Sequence, residues 1–172
     1  LLRENGIHSI KSKFKNLPYY PNYYEQVDSG FNFRMSEISA ALVNSQLKKL
    51  NFFVNKRNQI AKTYLKLIKN PKFIFQDNNK DAKSSYHLFV VKLTNQNSNQ
   101  YLKIFKIFNK NKIFINLHYK ALHLNPFFEE MGFKKGQFPI SENYSYTAFS
   151  IPIFVGLEEK NIKKIISILN NF

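Results

Sequence analysis

FNFRMSEISAALVNSQLKKLNFFVNKRNQIAKTYLKLIKN (31–70) contains neither Gly nor Pro and decides the architecture of the chain. Apolar or small residues recur at Ile38, Ala41, Leu42 and Ser45, then at Leu50, Phe53 and Val54, then at Ile60, Ala61, Tyr64, Leu67 and Ile68. Steps of three and four predict an amphipathic helix, or two abutting helices. Ser36 is the expected N-cap, because its hydroxyl can accept an unpaired N–H of the first turn. Pro71 ends the run. A straight helix of this length would span about 50 Å at 1.5 Å per residue. That suits an element crossing between domains or lying along a subunit interface. No strict heptad persists, which disfavours a coiled coil.

Downstream, SSYHLFVVKL (84–93) and IFINLHY (113–119) read as strands, with a short helical pattern at 101–108 between them. Asn125-Pro126 marks a helix start, with Asn as cap and Pro at the first helical position. Ser141 is the expected cap of a second short helix running toward Phe149. SIPIF (150–154) is extended, and Leu157, Ile162, Ile165, Ile166 and Leu169 share one face of a C-terminal helix. Upstream, LLRENGI reads as the end of an element stopped by Gly6, and 11–29 is an irregular Tyr-rich connector. A first residue of Leu, not Met, predicts residues upstream of it. The expected fold class is α/β, more narrowly an α+β small domain in which helices cover a small sheet.

The 172 residues have room for one domain or a piece of a larger one, and a 44% apolar content supports a core. Without Cys there are no disulfides, thiolate zinc sites or cysteine nucleophiles. No stretch approaches the roughly 18–20 apolar residues of a membrane span, and no signal segment opens the chain, so a cytoplasmic protein is expected. The net charge of +15 raises nucleic-acid binding as a reading. Only Arg3, Arg34 and Arg57 supply guanidinium forks, however, and the 23 Lys are scattered alongside 22 Asn and 17 Ile. Such a bias fits adenine- and thymine-rich codons and a solvated surface. A basic module for nucleic acid or another polyanion stays as the alternative.

Chemistry-bearing patterns are few. His118 and His123 lack an acidic third ligand nearby, so no metal site is expected, and His87 reads as a core or edge histidine in a strand. Neither a glycine-rich phosphate loop nor a nucleophile elbow is present. GFNFRMSEISAAL (30–42) places Asn32 and Arg34 just before a helix start, where backbone N–H groups favour a phosphate. INLHYKALHLNPFF (115–128) gathers Asn116, His118, Tyr119, Lys120 and His123 at a strand end, a common place for ligand-binding groups. A turn Asn with a surface Arg, and a strand with a polar exit, would account equally for these two patterns.

GFNFRMSEISAALVNSQLKKL, KRNQIAKTY, SSYHLFVV, LHYKALHLNPFFEEMGFKKGQFPISE and FSIPIFVGL occur in this order. Together they resemble the C-terminal portion of the DegT/StrS-type sugar aminotransferases, over essentially the whole chain. The resemblance implies a fold-type-I pyridoxal 5'-phosphate enzyme that acts on nucleotide-linked keto sugars as a homodimer. It also implies a division into the end of the large cofactor-binding domain (1–34) and a long interdomain helix with the small domain (35–172). The Schiff-base lysine of the family lies upstream of its LLR…HGI segment, so no catalytic residue is expected within this chain. HYKALHLNPFFEEMGFKKGQFP is most similar to the transaminases of pseudaminic acid biosynthesis. For those, glutamate is the amino donor and a UDP-linked 4-keto-6-deoxy sugar the acceptor.

Carried over on this resemblance, Asn32 matches the family Asn that reaches across the dimer toward cofactor phosphate and substrate. Arg34 supports that turn or meets an anionic group. Asn116, Leu117, His118 and Tyr119 match the stretch lining the nucleotide-sugar site, and Lys120 and His123 are further candidates for the diphosphate. The sequence departs from the family at Phe33, where Tyr is usual, at Ala121, where Pro is common, and at Val43 and Asn44.

Overall fold

A computed structural model describes residues 3, 5–8, 25–77, 81–95 and 98–172. Contacts divide the chain into two compact units, Leu1–Lys49 and Leu50–Phe172. In the first, β1 (Ile7–His8) pairs antiparallel with β2 (Glu25–Gln26). Backbone bonds extend this contact, from Val27 N to Gly6 O (2.9 Å), Asn5 N to Phe31 O (3.0 Å) and Phe33 N to Arg3 O (3.0 Å). Gly6 is required here: its φ is +71°, and a Cβ would overlap the Asp28 carbonyl. Helix α1 (Glu37–Leu47) follows, with Ser36 as its N-cap accepting from Ser39 N at 3.2 Å.

The second unit begins with α2 (Leu50–Leu67) and continues through β3 (Phe73–Phe75), β4 (Phe89–Leu93), α3 (Ser98–Lys110) and β5 (Asn116–Leu117). A single 3₁₀ turn (Leu122–Leu124) then leads into α4 (Pro126–Glu130), α5 (Pro139–Ser145), β6 (Ala148–Ile151) and α6 (Glu159–Asn170). The sheet order is β3-β4-β6-β5 and every pairing is antiparallel. Strand periodicity sends Phe89, Val91 and Leu93 of β4 into the core, where they meet Ile104 and Phe108 of α3 and Ile165 and Leu169 of α6. Burying each such side chain contributes about 1.5–3 kcal/mol. Two phenols fix helices to β6 and its exit: Tyr64 of α2 donates to Pro152 O and Tyr101 of α3 to Ala148 O, each at 2.9 Å. Burial pushes the Tyr101 hydroxyl up to about 12 and that of Tyr64 higher still. The ends of α2 and α6 cap each other, since Asn170 accepts from Lys69 N and donates to Leu67 O while Asn70 donates to Leu169 O.

Several expectations are corrected. Of the two readings of 31–70, the pair of abutting helices is the one found and the single long helix is not: Lys49 N closes on Gln46 O, a tight i→i−3 bond that ends α1, and α2 starts at Leu50. The stripe on α1 is exposed, and no α1 residue is buried. β4 starts only at Phe89, so His87 is an exposed residue ahead of the strand and not a core histidine. Ser141 lies inside α5, which starts at Pro139 in the first turn, where a missing N–H costs nothing. Asn125 precedes α4 but makes no capping bond; its amide donates back to Leu122 O at 2.9 Å. β3 was not anticipated. Residues 11–24 of the expected connector lie outside the described residues.

Candidate functional site

β5 is an edge strand of two residues, held by β6 through Asn116 opposite Ser150 and Leu117 opposite Phe149. Its edge position leaves the side chains of Asn116 and Leu117 exposed. At the exit the chain turns sharply through a cis peptide between His118 and Tyr119. His118 is buried (7% exposed) and Tyr119 projects outward (67% exposed). The two rings stack at 4.2 Å. Among the described residues neither ring nitrogen of His118 has a hydrogen-bond partner, an uncommon state for a buried polar group. Lys120 is exposed beside them. The exit therefore presents the Asn116 amide, the Tyr119 phenol and the Lys120 ammonium, with the His118 ring stacked behind Tyr119.

Asn116 also lines an open cleft of about 460 Å³, together with His87, Lys112, Ser150 and Asn161 over an apolar floor that includes Ile153 and Ile165. Of these, Lys112, Ser150 and Asn161 carried no signal in the sequence. Lys112 has a left-handed backbone (φ 58°) just after α3, a conformation that only the folded turn reveals.

His123 departs from the expected substrate-binding role. The 3₁₀ turn carries it inward, where its Nε2 lies 2.9 Å from Glu142 Oε1 and its ring meets the edge of Phe138 at 4.8 Å. The same carboxylate oxygen accepts from Gly136 N at 2.7 Å and Phe138 N at 3.4 Å. The hydrogen bond with His123 holds the Glu142 carboxyl below the usual carboxylate range, against the opposing effect of desolvation. His123 is thus an internal tie between the exit turn and α5, not a group facing a ligand.

Asn32 and Arg34 belong to the first unit. Asn32 lies between the two residues whose backbones bond Asn5 and Arg3, and alternation along this extended stretch puts it opposite the stacked rings of Phe31 and Phe33 (4.7 Å). Both side chains are exposed, and among the described residues neither has a hydrogen-bond or ion-pair partner. A free amide and a free guanidinium suit an anionic oxygen such as a phosphate. One donor expected at the start of α1, Ser39 N, is already taken by Ser36. Among the described residues no group of three His, Cys, Asp or Glu could hold a metal ion. No helix among them is long and apolar enough to cross a membrane.

Residues 2–170 match the DegT/DnrJ/EryC1/StrS aminotransferase family, and the chain belongs to it. It is 32% identical over 166 residues to the UDP-4-amino-4,6-dideoxy-N-acetyl-β-L-altrosamine transaminase of Campylobacter jejuni, covering 95% of this chain and 40% of that protein. Its counterpart of the same name in Helicobacter pylori is 30% identical over 145 residues, covering 83% and 38%. Among solved structures, the apo form of the Streptococcus pneumoniae putative sugar aminotransferase Spr1654 superposes with a TM-score of 0.78 at 20% identity, over 99% of this chain and 41% of that one. Helicobacter pylori PseC, an aminotransferase involved in the biosynthesis of pseudoaminic acid, gives a TM-score of 0.75 at 26% identity, over 99% and 43%. The chain spans about two-fifths of the length of these relatives.

Proposed function

We propose that the protein carrying this chain uses pyridoxal 5'-phosphate to move the amino group of glutamate onto a UDP-linked 4-keto-6-deoxy sugar, as a cytoplasmic homodimer. The observation that carries the reading is the 32% identity, across nearly the whole chain, to a transaminase named for a UDP-4-amino-4,6-dideoxy sugar. In the complete protein, residues 1–34 finish the large cofactor-binding domain and 35–172 form the small domain. The cofactor, when bound, withdraws electrons from the carbon that exchanges its amino group. Asn32 and Arg34 would hold its phosphate or an anionic group of the substrate, through the free donors described above. Asn116 and Leu117 flank the sugar at the strand edge, partly through backbone groups. His118 lines the site from behind, its ring stacked on that of Tyr119, and Tyr119 and Lys120 meet the nucleotide and its diphosphate. The basic surface draws a doubly charged substrate toward this face.

The test is a transamination assay on the complete protein, with glutamate and the UDP-4-keto sugar, following 2-oxoglutarate release and the amino sugar by mass spectrometry. Formation of the 4-amino sugar is the expected result. Amination of a dTDP-linked sugar only, or a keto position other than C4, would overturn the substrate assignment.

A further inference from the structure

The exit turn that presents Tyr119 and Lys120 is fixed at both ends by one continuous stretch of chain. Upstream, Asn116 and Leu117 pair with Ser150 and Phe149 of β6. Downstream, Ala121 N donates to Ser145 Oγ at 2.9 Å in a fully enclosed bond, and His123 is tied to Glu142 as described. Glu142 and Ser145 both belong to α5, and α5 runs through Tyr146 and Thr147 directly into β6. Leu93 N bonds Thr147 O at 3.0 Å, so the α5–β6 junction is itself anchored to β4 in the middle of the sheet. Residues 118–120 are the three between the two anchors, so the positions of both ends of this short turn are set by them.

The Ala121 bond exists because Ala, unlike Pro, has an N–H. That donor is buried with Ala121, and Ser145 is 3% exposed, so no water is at hand to replace the hydroxyl. Glu142 acts one turn earlier on α5. Its single oxygen Oε1 gathers His123 from the exit turn and the N–H groups of Gly136 and Phe138 from the loop before α5. Neither side chain reaches the exposed face.

We infer that Glu142 and Ser145 are positioning residues for the nucleotide-sugar site, holding the 118–120 turn in the one geometry that lets Tyr119 and Lys120 engage the ligand. This rests on the reading given under Proposed function. A loosened turn keeps its ligand groups but must order them on binding, which weakens affinity without altering the chemistry of the bound state.

The experiment compares the complete protein with Ser145→Ala, Glu142→Ala and Glu142→Gln. KM for the UDP-4-keto sugar, KM for glutamate, kcat and the thermal midpoint are measured on each, with calorimetric titration of UDP-N-acetylglucosamine in parallel. Ser145→Ala and Glu142→Ala are expected to raise the sugar KM about 5–10-fold, with kcat within about twofold and the glutamate KM unchanged, as a ground-state binding loss requires. Glu142→Gln, which keeps the acceptor oxygen, should fall nearer to wild type. A second arm places Ser145→Ala in an Ala121→Pro background. The Ala121 φ of −55° accepts proline while the N–H is lost, so Ser145→Ala should then add nothing to the sugar KM. Lower thermal midpoints with unchanged sugar KM would overturn the inference and leave the transaminase reading standing, as would an equal Ser145→Ala effect in both backgrounds. Wild-type binding of UDP-N-acetylglucosamine without turnover would sink the transaminase reading, and the calorimetric affinity ratios would then decide the positioning role. Wild type that neither binds nor turns over refutes both.

Discussion

Tyr64→Phe isolates the bond that ties α2 to the far end of β6. Tyr64 is fully buried, its ring meets Phe89 edge-on at 5.1 Å, and its hydroxyl donates to Pro152 O at 2.9 Å. Phenylalanine keeps the ring contact and removes the donor, so the loss is one hydrogen bond plus an acceptor left without its partner. A net bond contributes about 1 kcal/mol and an orphaned acceptor costs about 1–3. Pro152 is only partly buried, so some water reaches its carbonyl and the lower part of that range applies. The expected destabilisation is about 1–2 kcal/mol, or roughly 3–8 °C in Tm for a unit of this size. The assay is denaturant unfolding followed by near-UV circular dichroism at pH 7, repeated from pH 9 to 11.5. The pH series supplies a second check. Burial raises the Tyr64 pKa in the folded state, so its contribution to stability does not change with pH below the ordinary phenol value near 10. Above it the unfolded chain ionises first and stability is lost. Tyr64→Phe lacks that loss, so the gap between wild type and variant must shrink as pH rises past 10. A variant within about 0.3 kcal/mol of wild type at pH 7, or a gap that stays constant above pH 10, would refute the assigned bond.

Gly6→Ala should destroy the β1–β2 contact, because a Cβ there overlaps the Asp28 carbonyl and the positive φ adds strain; loss of amide-exchange protection at Val27, with the second unit unaffected, is the expected result. Glu142 has a lowered folded pKa, so its stabilisation is complete above the ordinary carboxylate value of about 4.3 and is lost as pH falls through the folded pKa; Glu142→Gln should flatten that acid limb in a pH series of Tm values. Asn32→Ala in the complete enzyme should weaken cofactor or substrate binding at the neighbouring subunit's site, measured on hybrid dimers carrying one silenced site. Loss confined to the mutated subunit's own site would rule out the cross-subunit role.

The fold was legible where burial follows a period. Ile162, Ile165, Ile166 and Leu169 are buried on one face of α6 as their spacing requires, and Ser36 caps α1 as its position before an apolar run requires. Periodicity failed where tertiary contacts outrank it. IFINLHY alternates well enough for a seven-residue strand, yet only Asn116 and Leu117 pair. Ile113 and Ile115 pack toward the core while Phe114 is 77% exposed. The apolar stripe on α1 is much weaker than that on α2 and none of its residues is buried, whereas α2 sets Tyr64 against Phe89 of β4 and packs on α6. Three residues of β3 after Pro71 are too few to establish any period, and their strand character comes from pairing with Val91–Leu93 of β4.

The site divides along a different line. Asn32, Arg34 and residues 116–120 stood out as polar groups at a helix start and a strand end, and the family resemblance gave them roles. The ties behind them were invisible. Glu142 reaches His123 across 19 residues and Ser145 reaches Ala121 across 24, and neither separation has a periodic signature. One of these ties ends on a backbone N–H, which every residue but proline carries, so only the absence of Pro at 121 hinted that a partner was needed. Reading His123 as a ligand group followed from its place in the polar stretch after a strand end and from the family resemblance. One 3₁₀ turn is enough to send the two rings to different neighbours: His118 stacks on Tyr119 with both nitrogens unpaired among the described residues, and His123 is bound to Glu142. The same residue type therefore lies behind the exposed exit at 118 and in an internal tie at 123, and what separates them is whether an acceptor already stands within reach.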